Sequence, residues 1–353
     1  MKRSMPQWSS LTAVLICLVF TACQKQIPDS ANTPAAPPKT TASLGPIGLP
    51  PAIIWWARAA DIPMPSDYYI GRDQQQGFAI NGKGYLFCGR LDSRELTDIY
   101  PPDLWEFDPP TNTWTQKANY PGAGNIMGCN FVIGSKVYVC VYNQCWAWDQ
   151  TTNTWTARAS IPTDRRTNST AFAINGKGYV GLGEDEDDPN LRKMKDWWEY
   201  DPIADQWTKK GNFPGGARYY AAGFVVGNYG YVCGGYKAAP GNDPWQYDLW
   251  QYDPSADTWV QKAAPPTGST GGIGLSGIVN NGTPTGFVVQ GTTHGCLEYN
   301  PATDTWGVLT DVPGGTRYAF AGFMINRSLF IAGGAGTGQN NFLKDVEVLN
   351  WSR

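Results

Sequence analysis

A tryptophan that follows a turn recurs six times along this chain, at Trp56, Trp114, Trp155, Trp207, Trp259 and Trp306. The spacing, about fifty residues, is that of a repeat whose units are small sheets. Each tryptophan opens a polar strand that ends in proline, as in the runs Trp155 to Pro162 and Trp207 to Pro214. A small-residue apolar strand, a turn and a second strand come next, as from Ala171 to Val180 and from Gly223 to Gly235. Asn81-Gly82 and Asn175-Gly176 are two-residue hairpin turns, because both positions tolerate positive φ. A third strand reads Asp103 to Asp108, Cys145 to Asp149, Asp196 to Asp201, Asp248 to Asp253 and Cys296 to Asn300, and turns back into the next tryptophan. Asp108 or Asp253 can cap that turn. Charged residues make up only 16% of a chain rich in Gly (41), Trp (16) and Tyr (18), an all-β composition with no helical periodicity.

A Gly-Gly pair ending the second strand, a tyrosine before it and the distal tryptophan together resemble the Kelch repeat over residues 55 to 350. Gly234-Gly235 and Gly333-Gly334 keep the pair, the first unit has Cys88-Gly89, and the fifth, Gly268 to Gly291, is the least regular. The resemblance implies an all-β, six-bladed Kelch-type β-propeller of four-stranded antiparallel blades spanning 53–353. Trp56 starts an outer strand with no inner strands before it, and the last unit, ending Asp345 to Asn350, has no outer strand after it. The two halves complete one blade, so the N-terminal strand closes the ring and removes the open edges.

Residues 1–22 have the layout of an export signal: Lys2 and Arg3, an apolar run from Leu11 to Phe20, then Thr21 and Ala22. The run is too short to cross about 30 Å of hydrocarbon as a helix. Leu18 to Cys23 resembles a bacterial lipobox, with Phe20 departing from its usual aliphatic residue, which implies lipidation at Cys23. Gln24 lacks the aspartate associated with inner-membrane retention, so the outer membrane is expected, with a periplasmic or secreted protein as the alternative. Residues 23–52, rich in Pro, Ala, Thr and Ser, bury too little to fold and read as a tether spanning roughly 30 Å. The long loops and the tether are expected on opposite faces of the propeller.

Six residues before the Phe of each innermost strand, or its equivalent, stand Arg72, Asn125, Arg166, Arg218, Ser269 or Thr270, and Arg317. Four guanidiniums aimed at the channel mouth, with Tyr219 and Tyr318 beside them, suit a carboxylate or phosphate. Kelch repeats use such arginines in some propellers to hold acidic peptides and in others to bond neighbouring loops, and both readings stand. A turn at Tyr142-Asn143 sets Cys140 opposite Cys145 and permits a disulfide in an oxidising compartment. The alternative is that the strand cysteines are small buried hydrophobes. Glu184 to Asp188 lacks the ligand spacing of a calcium loop and reads as solvated, offset by Arg192, Lys193 and Lys195.

A single histidine, His294, argues against metal centres and triads that need two ligands or a base. The copper chemistry of galactose oxidase, another Kelch propeller, is therefore not expected, and no metal or cofactor is. The reading adopted is a non-catalytic module of the cell envelope, presenting its loop-bearing face to a protein, an acidic peptide or a glycan. The membrane is reached only through the lipid, and a net charge of −3 gives no reason to expect nucleic acid. The enzymatic alternative is a sugar isomerase similar to the periplasmic sialic acid mutarotase, with an arginine holding the substrate carboxylate and no catalytic acid matched here.

Overall fold

The computed structural model describes residues 41–42, 53–65, 71–91, 99–122, 128–185, 187–190, 192–237, 245–266, 273–278, 284–290, 295–313, 315–336 and 342–352. Their strands form six antiparallel blades, five of them built from strands consecutive within the blade, with three two-stranded ladders beside them. Blade 1 is Gln76–Ile80, Lys83–Phe87, Leu104–Asp108 and Thr113–Gln116, from the channel outwards. Blade 2 is Cys129–Ile133, Lys136–Val141, Gln144–Asp149 and Thr154–Arg158. Blades 3, 4 and 5 begin at Thr170–Ile174, Ala222–Val226 and Ile273–Ile278 and end at Gln206–Lys210, Thr258–Lys262 and Thr305–Thr310.

Blade 6 closes the ring as the strand count required. Ala321–Ile325, Ser328–Ala332 and Val346–Ser352 take Ile53–Ala59 as their outer strand, in register from Ile53 opposite Ser352 to Ala59 opposite Val346. One detail departs from the expected tether: Thr41–Ala42 pairs with Ile54 and Ile53 as a short fifth strand. Among the described residues no helix is long and apolar enough to cross a membrane.

The core is six clusters, one per blade interface. Phe78, Phe87 and Leu104 of blade 1 meet Val137, Val139 and Trp148 of blade 2, and the sequence continues round to blade 6 against blade 1, where Phe323 and Phe330 meet Leu86 and Phe107. Alternate residues of every strand point to opposite faces, so each blade feeds both clusters that flank it. The glycine near the start of the second strand follows from this packing. A Cβ at Gly84, Gly178, Gly230 or Gly286 would lie within 2.3 Å of the Phe ring carried by the preceding blade's first strand.

The repeated tryptophan is a bolt between blades. The indoles of Trp114, Trp155, Trp207 and Trp306 donate at 2.8–2.9 Å to the carbonyls of Ala60, Ala118, Ala159 and Ala263, each just past the previous blade's outer strand. The amides of the same four alanines, and that of Gly211, donate to Asn112, Asn153, Asp205, Asp304 and Asp257 at 2.8–3.0 Å. Those acceptors sit at φ of 52–54°, where Asn and Asp are the side chains that tolerate the backbone and still offer an oxygen.

Candidate functional site

Each of the four arginines enters its blade just before the innermost strand and lies inside it. Arg72, Arg166, Arg218 and Arg317 are 0%, 1%, 0% and 3% exposed. Arg72 meets both oxygens of Asp103 at 2.7 and 2.8 Å, Arg218 both of Asp248 at 2.6 and 3.0 Å, and Arg317 both of Asp345 at 3.1 and 2.8 Å. Arg166 meets Asp196 through one bond of 2.6 Å and the Thr163 hydroxyl at 3.1 Å. Each also donates to the carbonyl sixteen residues on, at Cys88, Leu182, Gly234 and Gly333.

The Gly-Gly signature belongs to this cage. Cys88, Leu182, Gly234 and Gly333 have φ of 52–63°, while Gly89, Gly183, Gly235 and Gly334 have φ of 97–103°. The first position is ordinary left-handed helical space, which a side chain can occupy at some cost, so Cys and Leu are admitted. The second lies outside it and stays glycine. The turn aims the first residue's carbonyl at the arginine.

These four guanidiniums therefore spend their terminal donors within their own blades, and the expectation of a cationic ring open to a solution anion gives way to four internal struts. Asn125, the blade 2 counterpart, lies outside the described residues, as do Ser269, Thr270, Cys23 and His294. Tyr219 packs on Tyr220 and Tyr236, with ring centroids 4.7 and 5.1 Å away, under the Lys193 ammonium. Tyr318 is 43% exposed and faces the channel. Cys140 and Cys145 form a disulfide. The acidic loop is neutralised locally: Lys193 binds Glu184 at 2.7 Å, Arg192 binds Asp185 at 2.9 Å, and Arg165 binds Asp187 at 3.2 Å. Among the described residues no group of three or more His, Cys, Asp or Glu could hold a metal.

What the channel offers instead is a cavity of about 440 Å³ whose described lining carries no charge. Gln74, Gln75, Gln76, Asn130, Asn168 and Thr170 make its wall on blades 1 to 3, and Ile273, Leu275 and Phe320 with the rings of Tyr220, Trp245 and Tyr318 make the wall on blades 4 to 6. The residue two after each arginine, Gln74, Asn168, Tyr220 or Ala319, has φ of 50–57°. Adjacent blades link at these turns, from the Gln74 amide to the Ala319 carbonyl at 2.6 Å and from Tyr220 to Asn168 at 3.2 Å. A bulky side chain held at positive φ is strained backbone, and here it places side chains at the channel mouth. Gln75 is 4% exposed and donates to the Arg72 carbonyl at 3.2 Å, yet its Oε1 and that of Gln74 have no partner. Glu106 and Glu199 lie off the cavity, accepting from Tyr85 at 2.6 Å and Tyr179 at 3.0 Å.

Blade 4 contains the whole cage in one stretch, from Arg218 through Gly234-Gly235 and Asp248 to Trp259, and that stretch matches a family model. Residues 217–266 match the model of the Kelch motif. The propeller as a whole is similar to a solved structure titled "Structure of YjhT", with 17% identity, a TM-score of 0.62, and coverage of 84% of this chain and 99% of that one. No curated protein matches the chain in sequence.

One blade carries a substitution with a measurable consequence. Trp105, Trp198 and Trp250 donate their indole N–H to the cage aspartate two residues back, at 2.8, 2.6 and 2.8 Å; blade 6 has Glu347 there. Burial pushes the Glu347 carboxyl above its ordinary value of 4.5, the Asp345 charge adds to this, and Arg317 and Arg58 oppose it. A carboxyl raised in the folded state binds its proton more tightly there, so its contribution to stability falls as pH rises. Glu347→Gln is expected to melt higher than the parent at pH 7 and nearly level with it at pH 4, as followed by thermal unfolding.

Proposed function

We propose that this Kelch propeller is a non-catalytic binding module of the cell envelope that seats an uncharged, polar part of a protein, peptide or glycan in its channel mouth. The observation that carries the reading is the cavity's lining: amides and hydroxyls on one side, aromatic and aliphatic groups on the other, and two buried amide oxygens without partners. Concave sites with an apolar wall and a few convergent polar groups are where ligands bind, and a buried acceptor left unpaired costs about 1–3 kcal/mol that a ligand donor recovers. The absence of charge among the described lining residues favours a neutral ligand over the acidic peptide that the arginines suggested. It also leaves no acid–base pair there to support the sugar-isomerase alternative, and the 17% likeness in fold brings no activity with it. Lipidation of Cys23 supplies the envelope location.

Neutral and acidic glycans and peptides titrated calorimetrically into the purified domain test this. A neutral ligand should bind, and Gln75→Ala with Tyr220→Ala should weaken it at least tenfold, about 1.4 kcal/mol. A ligand bound equally by parent and double variant would remove the site from the channel. Fatty-acid labelling that survives Cys23→Ala would remove the anchor.

A further inference from the structure

Blade 2 carries three cysteines in one row. Cys145 on the third strand is the register partner of Cys140 on the second, and Cys140 is the register partner of Cys129 on the innermost strand. Register partners point to the same face of an antiparallel sheet, and all three belong to one buried cluster between blades 2 and 3. Cys140 and Cys145 are disulfide-bonded, whereas Cys129 is a free thiol, 4% exposed, on the cavity wall.

The register decides which pairs can bond. Val141 and Gln144 flank the two-residue turn, so Cys140 and Cys145, one step back, are a non-hydrogen-bonded pair. The backbone N–H and C=O of Cys140 then point to the other side, making Cys140 and Cys129 a hydrogen-bonded pair with a typical Cα separation of about 5.5 Å. A disulfide spans Cα separations of roughly 4.4–6.8 Å, and the Cβ atoms of such a pair, about 5.5 Å apart, must close to about 4.5 Å as the bond forms. Cys129 and Cys145 are two strands apart, about 9.5 Å, and cannot bond directly.

We propose that Cys140 is a shared partner, and that the blade 2 disulfide exchanges between Cys145 on the outer side and Cys129 on the channel side. The Cys129 thiol gives up its proton and its thiolate attacks the Sγ of Cys140. The Cys140–Cys145 bond breaks, and Cys145 leaves as a thiolate that takes up a proton. One S–S bond forms and one breaks, so neither oxidant nor reductant is consumed. The strands of Cys129 and Cys145 flank the Cys140 strand on opposite sides, the order that an exchange at Cys140 needs. Burial pushes the Cys129 thiol up to about 11, against a hydrogen bond with Ser169 and the charge of Arg166, which is itself paired with Asp196. Little thiolate exists at neutral pH, which makes the exchange slow. Its product ties the innermost strand to the second, frees the hairpin, and moves the thiol from the channel wall to the third strand.

The test uses the full chain without reductant. After incubation at pH 9 and an acid quench, thiols are alkylated in denaturant and each cysteine's label is read by peptide mass spectrometry. Label on Cys145 should rise at least tenfold over the unincubated sample, with an equal loss from Cys129. Cys145→Ser should contain a Cys129–Cys140 disulfide, and Cys140→Ser should label at both Cys129 and Cys145. Parent protein whose Cys145 stays unlabelled overturns the exchange whether or not the variants fold. So does a folded Cys145→Ser in which Cys129 and Cys140 both take label.

Discussion

Asp196→Ala is expected to lose about 3–5 kcal/mol, the usual cost of stripping one partner from a buried ion pair, and to melt roughly 10 °C lower. The loss falls on Arg166, 1% exposed and unable to deprotonate, which would keep the Leu182 carbonyl and the Thr163 hydroxyl as its acceptors but no counter-charge. Arg166→Met should cost less, because the Asp196 side chain is 19% exposed and retains the Trp198 indole as a donor. The double variant Arg166→Met, Asp196→Leu should fall closer to Arg166→Met than to Asp196→Ala, since it leaves no charge unpaired. The pH dependence has a fixed sign. Burial alone would raise the Asp196 carboxyl, but the Arg166 charge and the bonds from Arg166 and Trp198 hold it below its ordinary 3.8. A depressed carboxyl stabilises above its unfolded value and loses that contribution as pH falls through the folded one. Denaturant curves of parent and Asp196→Ala should therefore differ fully at pH 6 and converge below pH 4. A constant gap across that range would mean that packing, and not charge, sets the cost.

The partner of each arginine was written in the chain. Blades with Arg72, Arg166, Arg218 and Arg317 carry Asp103, Asp196, Asp248 and Asp345 at the start of the third strand, whereas the blades with Asn125 and Ser269 carry Gln144 and Gly295. The two positions vary together within one sequence, the mark of residues in contact. An arginine considered by itself matches a ligand anion and an internal carboxylate equally well, because its fork fits both. The tryptophan repeat, the Asn-Gly hairpins, the cysteine pair and the closing strand were legible because each rests on local backbone or register. Asn81 and Asn175 sit at φ of 49° and 50°, as a two-residue turn requires. The channel mouth was not legible for the opposite reason. Gln74, Asn168, Tyr220 and Ala319 share a backbone conformation and no chemistry, so no pattern of residue types marks them. Gln75, the buried amide that most invites a ligand donor, shows its role only once the Gly333 turn is packed beside it.

Deleting residues 1–60 is expected to abolish cooperative folding. The deletion removes the seven-residue pairing from Ile53 to Ala59, uncovers the edge of Val346–Ser352, and withdraws Ile54, 3% exposed, from the cluster that holds Leu349, Trp351 and Phe287. It also takes away Ala60, whose carbonyl and amide engage Trp114 and Asn112 of blade 1. Ladder bonds contribute about 0.5–1.5 kcal/mol each and the buried isoleucine about 1.5–3 kcal/mol. Together these reach the order of 10 kcal/mol, comparable with the whole stability of a typical domain, about 5–15 kcal/mol. The truncated chain should bind a hydrophobic dye, self-associate through its bare strand and show no sharp thermal transition. A peptide of residues 53–62 supplied in trans should recover part of the transition, since it restores both the edge pairing and the Ala60 contacts. A monomeric truncation melting within a few degrees of the parent would show that five complete blades hold the sixth without its outer strand, and that the order of strands in this chain does not secure the ring.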